Sequence, residues 1–151
     1  MKAMLRTCLL NRLREEMGKV YSVSVASSAG LYPSFLSRTM IGFVCLPEDV
    51  DSLVNATQEE LQRLYEYPES FEGILMDVKS NLLKDFELDK QKNSFWTSWI
   101  RNSIFNQQED WKYLNDYAQT VNSITAKDIS SFAKSLLSTT PMIKAVLYPK
   151  N

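Results

Sequence analysis

The sequence predicts an α+β fold in which helices pack on one face of a small antiparallel sheet of about three strands. Apolar residues recur at helical spacing along most of the chain. Two segments near the start are rich in strand-forming residues whose side chains alternate between two faces, and another such segment lies near the end. The predicted order of elements is α-β-β-α-α-α-α-β. A length of 151 residues suits a single domain, residues 1–151.

The first predicted element is a helix over residues 3–17. Its apolar residues fall near the spacing of about 3.6 residues per turn that marks one helical face. Gly18 then ends the helix, because glycine readily adopts the positive φ that often follows a helix C-terminus. Arg14 lies beside the apolar stripe rather than within it.

Two strands are predicted next. Val20–Ala26 alternates strictly, with Tyr21 among the apolar residues of one face and small residues on the other. Ser27–Pro33 contains a glycine and a proline, so it is expected to be a loop. Phe35–Leu46 predicts a second, longer strand, and the short connection favours antiparallel pairing.

The rest of the chain is predicted to be mostly helical, with one final strand. Apolar stripes indicate helices over 50–65, 71–86, 95–104 and, more weakly, 111–121. Thr125 and Asp128 resemble a capping box that opens a helix extending to Leu137. Met142–Tyr148 predicts the final strand. Three strands leave two unpaired edges, and such edges recruit partners, among which a second copy of the chain is possible.

Composition excludes several classes of function. The chain has 17 basic and 18 acidic side chains, so no basic excess indicates a nucleic-acid partner. No apolar run reaches the roughly 18 residues that suggest a membrane span. We also expect no targeting segment. Cys8 and Cys45 are too few for a disulfide framework and are expected to behave as small hydrophobic residues.

The chain contains no histidine. This excludes Ser-His and Cys-His nucleophile pairs and most catalytic zinc sites, so no metal or cofactor is expected on this chain. Glu15 and Glu16 do not replace such a site, because adjacent side chains on a helix diverge by about 100°. Both are expected to be solvated or ion-paired.

Aromatic residues are densest in the second half of the chain. Trp96, Trp99 and Trp111 lie near Phe95 and Phe105 at helical spacing. Such spacing favours a helix–helix core, and a role in stacking on a ligand is the alternative. The lysines of residues 79–92 alternate with carboxylates, which is typical of a solvated helix face.

Arg14 and Tyr21 are the candidate functional residues. A helix–glycine–strand turn can bring their side chains to the same edge of the fold. Arginine offers a fixed cation with a fork of donors, and tyrosine offers a hydroxyl on a rigid ring. Such a pair suits a carbonyl oxygen that becomes negative during attack. The alternative is a solvated charge at the helix end and an aromatic residue at the core edge.

Four segments resemble one family of enzymes. Residues 14–23, REEMGKVYSV, resemble a stretch in the C-terminal half of pitrilysin/insulinase-type zinc metallopeptidases, the inverzincins, whose metal motif is H-x-x-E-H. FVCLPE at 43–48, ITAKDI at 124–129 and AVLYP at 145–149 are similar to family segments in the same order. Together the four segments span nearly all of the chain.

The resemblance implies a division of labour between two homologous halves that close around a peptide substrate. One half carries H-x-x-E-H and a further Glu that bind zinc. The other supplies an Arg and a Tyr seven residues apart, which Arg14 and Tyr21 match. Arg14 would hold a substrate carbonyl and Tyr21 would donate to the tetrahedral oxyanion. This chain alone would be inactive, since zinc would be bound by another domain or chain.

The chain would then be the C-terminal, chamber-forming part of a larger zinc-dependent endopeptidase. It would be truncated, because family domains usually begin with elements that precede the matched segment. A periplasmic or cell-envelope location for a bacterial parent is implied only at the level of the family. A noncatalytic structural or assembly subunit of the same superfamily is the alternative function. A generic α+β interaction module with an accidental resemblance is a third.

Overall fold

The computed structural model describes residues 1–30, 36–105, 112–138 and 142–148, and it has the predicted α+β architecture. Within these residues one antiparallel sheet of two strands is formed by β1 (Val23–Gly30) and β2 (Leu36–Phe43). Six α-helices accompany it: α1 (Lys2–Leu10), α2 (Val50–Glu66), α3 (Glu72–Asp89), α4 (Asn93–Phe105), α5 (Lys112–Ser123) and α6 (Ala126–Ser138). The predicted order α-β-β-α-α-α-α-β left out one of the helices that follow the sheet.

The first helix forms the centre of the core. α1 continues directly into a π-helical segment, Asn11–Glu16, so the helix predicted over residues 3–17 is confirmed with a wider last turn. Leu9 and Leu13 are completely buried, and they pack in one cluster with valines of β1 and leucines of α2. The apolar stripe of the sequence is therefore the face that the rest of the fold covers.

The strands follow the predicted alternation but not the predicted bounds. Val23 and Val25 are buried while the residues between and after them are exposed, as a period of two requires. β1 begins three residues later than predicted and extends into the predicted loop as far as Gly30. Ser27 and Ser28 pair with the polar residues Thr39 and Arg38 of β2, and the Oγ of Ser27 lies 3.3 Å from the Oγ1 of Thr39. Residues 31–35 lie outside the described residues.

The helices after the sheet pack mainly through α2 and α6. The predicted capping box opens α6, because the backbone N–H of Thr125 donates to Asp128 Oδ2 at 2.8 Å and the Thr125 hydroxyl donates to the same oxygen at 2.7 Å. These hydrogen bonds from Thr125 hold the pKa of Asp128 below its ordinary value. Ser130 Oγ donates to the carbonyl of Tyr65 at 2.7 Å and ties α6 to α2.

The third predicted strand is not confirmed. Met142–Tyr148 has neither helical nor strand structure, and its residues are exposed throughout, with Ile143 88% and Leu147 98% exposed. A strand needs a neighbouring backbone to pair with, and within the described residues β1 and β2 pair only with each other. Lys144 forms an ion pair with Asp51 of α2, which holds the segment beside that helix.

Helix α4 makes aromatic contacts with a neighbouring helix, but it does not form the buried helix–helix core that was predicted. None of its residues is buried, and Ile104 and Phe105 are about three-quarters exposed, at 74% and 75%. Its rings contact α3 on one side, whereas no described element covers its other side. Helix α4 therefore has an apolar face, but the rest of the described fold does not enclose that face. Trp111, which was included in the same prediction, lies outside the described residues.

The two cysteines behave as predicted. Cys8 is buried in the core, Cys45 is partly buried against it, and both are free thiols. Burial raises the pKa of Cys8 to about 12, with a smaller contribution from the charge of Glu60. The thiol of Cys8 therefore stays protonated and unreactive. No helix in the described part of the chain is long and apolar enough to span a bilayer.

Candidate functional site

The site is built on the turn between the π-helical segment and β1. Gly18 has a φ of 67°, a conformation that glycine adopts at little cost. Its N–H donates to the carbonyl of Arg14 at 3.0 Å, and the N–H of Lys19 donates to the carbonyl of Leu13 at 3.3 Å. These bonds satisfy carbonyls at the helix end and reverse the chain. They bring the backbone after Gly18 back alongside Arg14.

Two buried residues and one ion pair anchor this turn. Leu13 is 0% exposed and Val20 is 6% exposed, and they directly precede Arg14 and Tyr21. Because these neighbours point into the core, the side chains of Arg14 and Tyr21 are left on the surface. Lys19 Nζ lies 2.6 Å from Asp49 Oδ1, which fastens the turn to the start of α2.

The structure brings the two candidate side chains together. The Arg14 guanidinium carbon lies 5.7 Å from the centroid of the Tyr21 ring, within cation–π range. At an exposed site such a contact contributes about 0.5–1 kcal/mol. The expectation that Tyr21 belongs to the apolar face of the first strand is wrong, since Tyr21 precedes β1 and is 87% exposed. Its phenol therefore faces solvent beside the guanidinium.

The remaining contacts leave the pair accessible. Arg14 Nε lies 3.4 Å from Glu15 Oε1, in an ion pair whose two side chains are both exposed. Glu16 instead pairs with Arg12 at 2.7 Å. Glu15 and Glu16, which were expected to be solvated or ion-paired, are thus both ion-paired.

Sequence reasoning missed a second group of charges, which lies on α2 and the π-helical segment. Glu60 of α2 is only 3% exposed and pairs with Arg63 at 2.8 Å. Burial raises the pKa of Glu60, and the positive charge of Arg63 partly opposes that shift. Arg12 lies near it and bonds Glu59 as well as Glu16. The sequence did indicate that Glu60 lies on the buried face of α2, because residues 57, 60, 61 and 64 have the spacing of one helical face.

A zinc site would need several converging His, Cys, Asp or Glu side chains. The sequence has no histidine, and within the described ranges no three His, Cys, Asp or Glu side chains converge as metal ligands. At the turn, Arg14 and Tyr21 offer hydrogen-bond donors and a positive charge. Such groups bind and stabilise an oxygen that carries negative charge.

Comparisons with known proteins add no relative. No protein-family model matches the chain, and a search of curated proteins returns no match. The functional interpretation therefore rests on the geometry of the turn and on the resemblance of residues 14–23 and the three later segments.

Proposed function

We propose that this chain is the non-zinc, substrate-binding half-domain of a pitrilysin/insulinase-type zinc metallopeptidase. The observation that carries the proposal is the contact between Arg14 and Tyr21, 5.7 Å apart on one anchored turn and both open to solvent. The sequence of that turn is also the segment that most resembles the family. Zinc would belong to the other half, in the same chain or in a partner.

Arg14 would bind the substrate before reaction. Its planar guanidinium donates charge-assisted hydrogen bonds, which suit a backbone carbonyl oxygen of an extended peptide. The ion pair with Glu15 at 3.4 Å is exposed, so its loss costs little when a substrate arrives. Arg14 would then fix the position of the peptide backbone relative to Tyr21.

Tyr21 would act on the transition state. Its hydroxyl can donate to the carbonyl oxygen under attack, and this hydrogen bond strengthens as the oxygen becomes negative. The cation of Arg14 beside the ring favours the same build-up of charge. Because Leu13 and Val20 hold the turn in the core, the two groups need little rearrangement on binding.

The proposal extends to the sheet. Met142–Tyr148 has the composition of a strand and exposes Ile143 and Leu147 almost completely. In the larger peptidase this segment would form a third strand by pairing with another part of the assembly, which would cover these side chains. The exposed apolar surface supports a chain that works within a larger protein.

Replacing Tyr21 by Phe in the complete peptidase, with both halves present, tests the proposal. We expect kcat to fall by about 100-fold while KM changes by less than about twofold, because the lost donor acts mainly in the transition state. Tyr67→Phe is the matched control, since Tyr67 is also exposed, at 62%, but lies at the end of α2. Unchanged turnover in Tyr21→Phe would remove the catalytic role.

A noncatalytic assembly subunit of the same superfamily is the second candidate. The exposed apolar residues Ile143, Leu147 and Ile104 favour it, because a partner that covers them would stabilise an assembly. This candidate predicts that neither half of the complex carries H-x-x-E-H. It also predicts that Tyr21→Phe leaves every measurable property of the complex unchanged.

A further inference from the structure

A partly open cavity lies where α3, α4 and α5 meet, on elements other than those that carry the Arg14–Tyr21 turn. Its volume is about 420 Å³, within the range of small-molecule sites. Four aromatic rings and two carboxylates line it: Phe86, Phe95, Trp99, Tyr117, Asp85 and Asp89. The apolar Leu82 completes the lining.

The rings form one continuous cluster. Phe86 stacks on Tyr117 with centroids 4.0 Å apart, and Phe95 meets Phe86 edge-on at 5.8 Å. Trp99 lies nearly parallel to Phe95 at 6.4 Å. The face of each ring carries negative electrostatic potential, so a cavity lined by several rings attracts cations.

The charges around the cavity add to this potential. Near the C-terminus of α3, Lys90 pairs with Glu87 and Lys92 pairs with Asp89, each at 2.7 Å. The three carboxylates Asp85, Glu87 and Asp89 outnumber these two lysines, although the charge of Lys92 also interacts with Asp85. The C-terminal end of α3 also carries the negative end of the helix dipole.

One ring of the cluster already holds an ammonium group. Lys90 Nζ lies 5.0 Å from the centroid of Phe86, well within the distance at which a ring binds a cation. The backbone nearby is fixed as well, because Trp96 Nε1 donates to the carbonyl of Lys90 at 2.7 Å. An ammonium group of the chain itself thus lies against one ring of the cluster, and the cavity beside it has a volume of about 420 Å³.

We propose that this cavity binds an alkylammonium group, supplied by a free amine or by a lysine side chain. The rings provide the apolar, negative surface for the methylene and methyl groups, and Asp85 provides the opposite charge. This role also accounts for aromatic residues of α4 that are only half buried. The site shares no residue with the Arg14–Tyr21 turn, so its test is independent of the proposed function.

The first test compares choline with its neutral carbon isostere, dimethylbutanol, by titration of the full chain. The Trp99 indole resonance reports binding. We expect saturable shifts with choline at a dissociation constant of about 1 mM or lower, and binding of the isostere weaker by at least about tenfold. Equal binding of the two probes, or no saturable shift with choline, would overturn the proposal.

Two variants locate the site. Asp85→Asn keeps the shape of the side chain and should weaken choline binding by about tenfold, whereas Asp77→Asn on the same helix, outside the cavity, should leave it unchanged. Trp99→Leu should also weaken binding, with circular dichroism to verify the fold. Wild-type affinity in Asp85→Asn and in a folded Trp99→Leu would contradict the assignment.

The source of the group is decided by two further probes. A capped lysine peptide that binds at least about tenfold more tightly than n-butylammonium would identify a peptide side chain as the ligand. Similar affinities for the two would identify a free amine. Failure of both to bind would reject the alkylammonium site, whatever the result with Tyr21→Phe in the peptidase.

Discussion

The helix that precedes the Arg14–Tyr21 turn and helix α4 begin from the same kind of sequence, an apolar stripe at helical spacing, and end in different surroundings. Leu9 and Leu13 are completely buried, whereas no residue of α4 is buried. α1 contacts β1, α2 and α3, but α4 has only sparse backbone contacts with the rest of the described chain. An apolar stripe therefore shows which face of a helix can be buried. Whether that face is buried depends on which other elements pack against the helix.

The largest expected contrast between these regions is in stability. Leu13→Ala should lower the free energy of unfolding by about 3 kcal/mol, because it removes a completely buried side chain and leaves a cavity. Ile104→Ala shortens a side chain that is 74% exposed and should change the free energy of unfolding by less than about 0.5 kcal/mol. Urea denaturation of the two variants measures both. Equal losses would mean that α4 is as well enclosed as α1.

The next effect concerns the backbone of the turn. Gly18→Ala should destabilise the protein by about 1–2 kcal/mol, because alanine is strained at a φ of 67°. Gly73→Ala in α3 is the control of opposite sign, since the new methyl group meets nothing within 4 Å and alanine favours a helix by about 0.5–1 kcal/mol. Thermal unfolding separates the two. A Gly18→Ala variant as stable as Gly73→Ala would contradict the anchored turn.

The smallest effect is a pH dependence from Glu60. Burial raises its pKa in the folded protein, so folding favours the protonated form. The contribution of protonated Glu60 to the free energy of unfolding is complete below the ordinary pKa of 4.5. It is lost as the pH rises through the raised pKa of the folded protein. Glu60→Gln should lack this decline. Denaturation over a pH series measures this dependence, and Glu59→Gln is the control because Glu59 is 63% exposed. If the free energy of unfolding of Glu60→Gln falls with pH as in the wild type, the prediction is wrong.

The sequence predicted local structure where spacing alone determines it. The helix over residues 3–17, the alternation at Val23 and Val25 and the Thr125–Asp128 cap all follow from local rules, and the structure has each of them. Strand bounds were less accurate, because serines 27 and 28 extend β1 through pairing with β2, and pairing is not local. Burial of α4 and pairing of Met142–Tyr148 depend on distant parts of the fold.

The candidate site was predictable in part. The spacing of Arg14 and Tyr21 around Gly18 indicated that a turn could bring them to one edge, and their 5.7 Å contact agrees with it. The exposure of Tyr21 was not predicted, since simple alternation placed it with Val23 in the core. The aromatic cavity was missed because its rings come from three helices, and residue spacing within one helix does not report contacts between helices.

The central proposal is that Arg14 and Tyr21 act together on one substrate carbonyl, and a double-mutant cycle in the complete form of the proposed peptidase tests it most directly. kcat/KM is measured for Arg14→Met, Tyr21→Phe and the double variant, with Arg101→Met of α4 as a charge control. We predict that each single change lowers kcat/KM and that the double variant departs from additivity by at least about 0.5 kcal/mol. Additive losses in the double variant, or wild-type kcat/KM in all three variants, would contradict the claim.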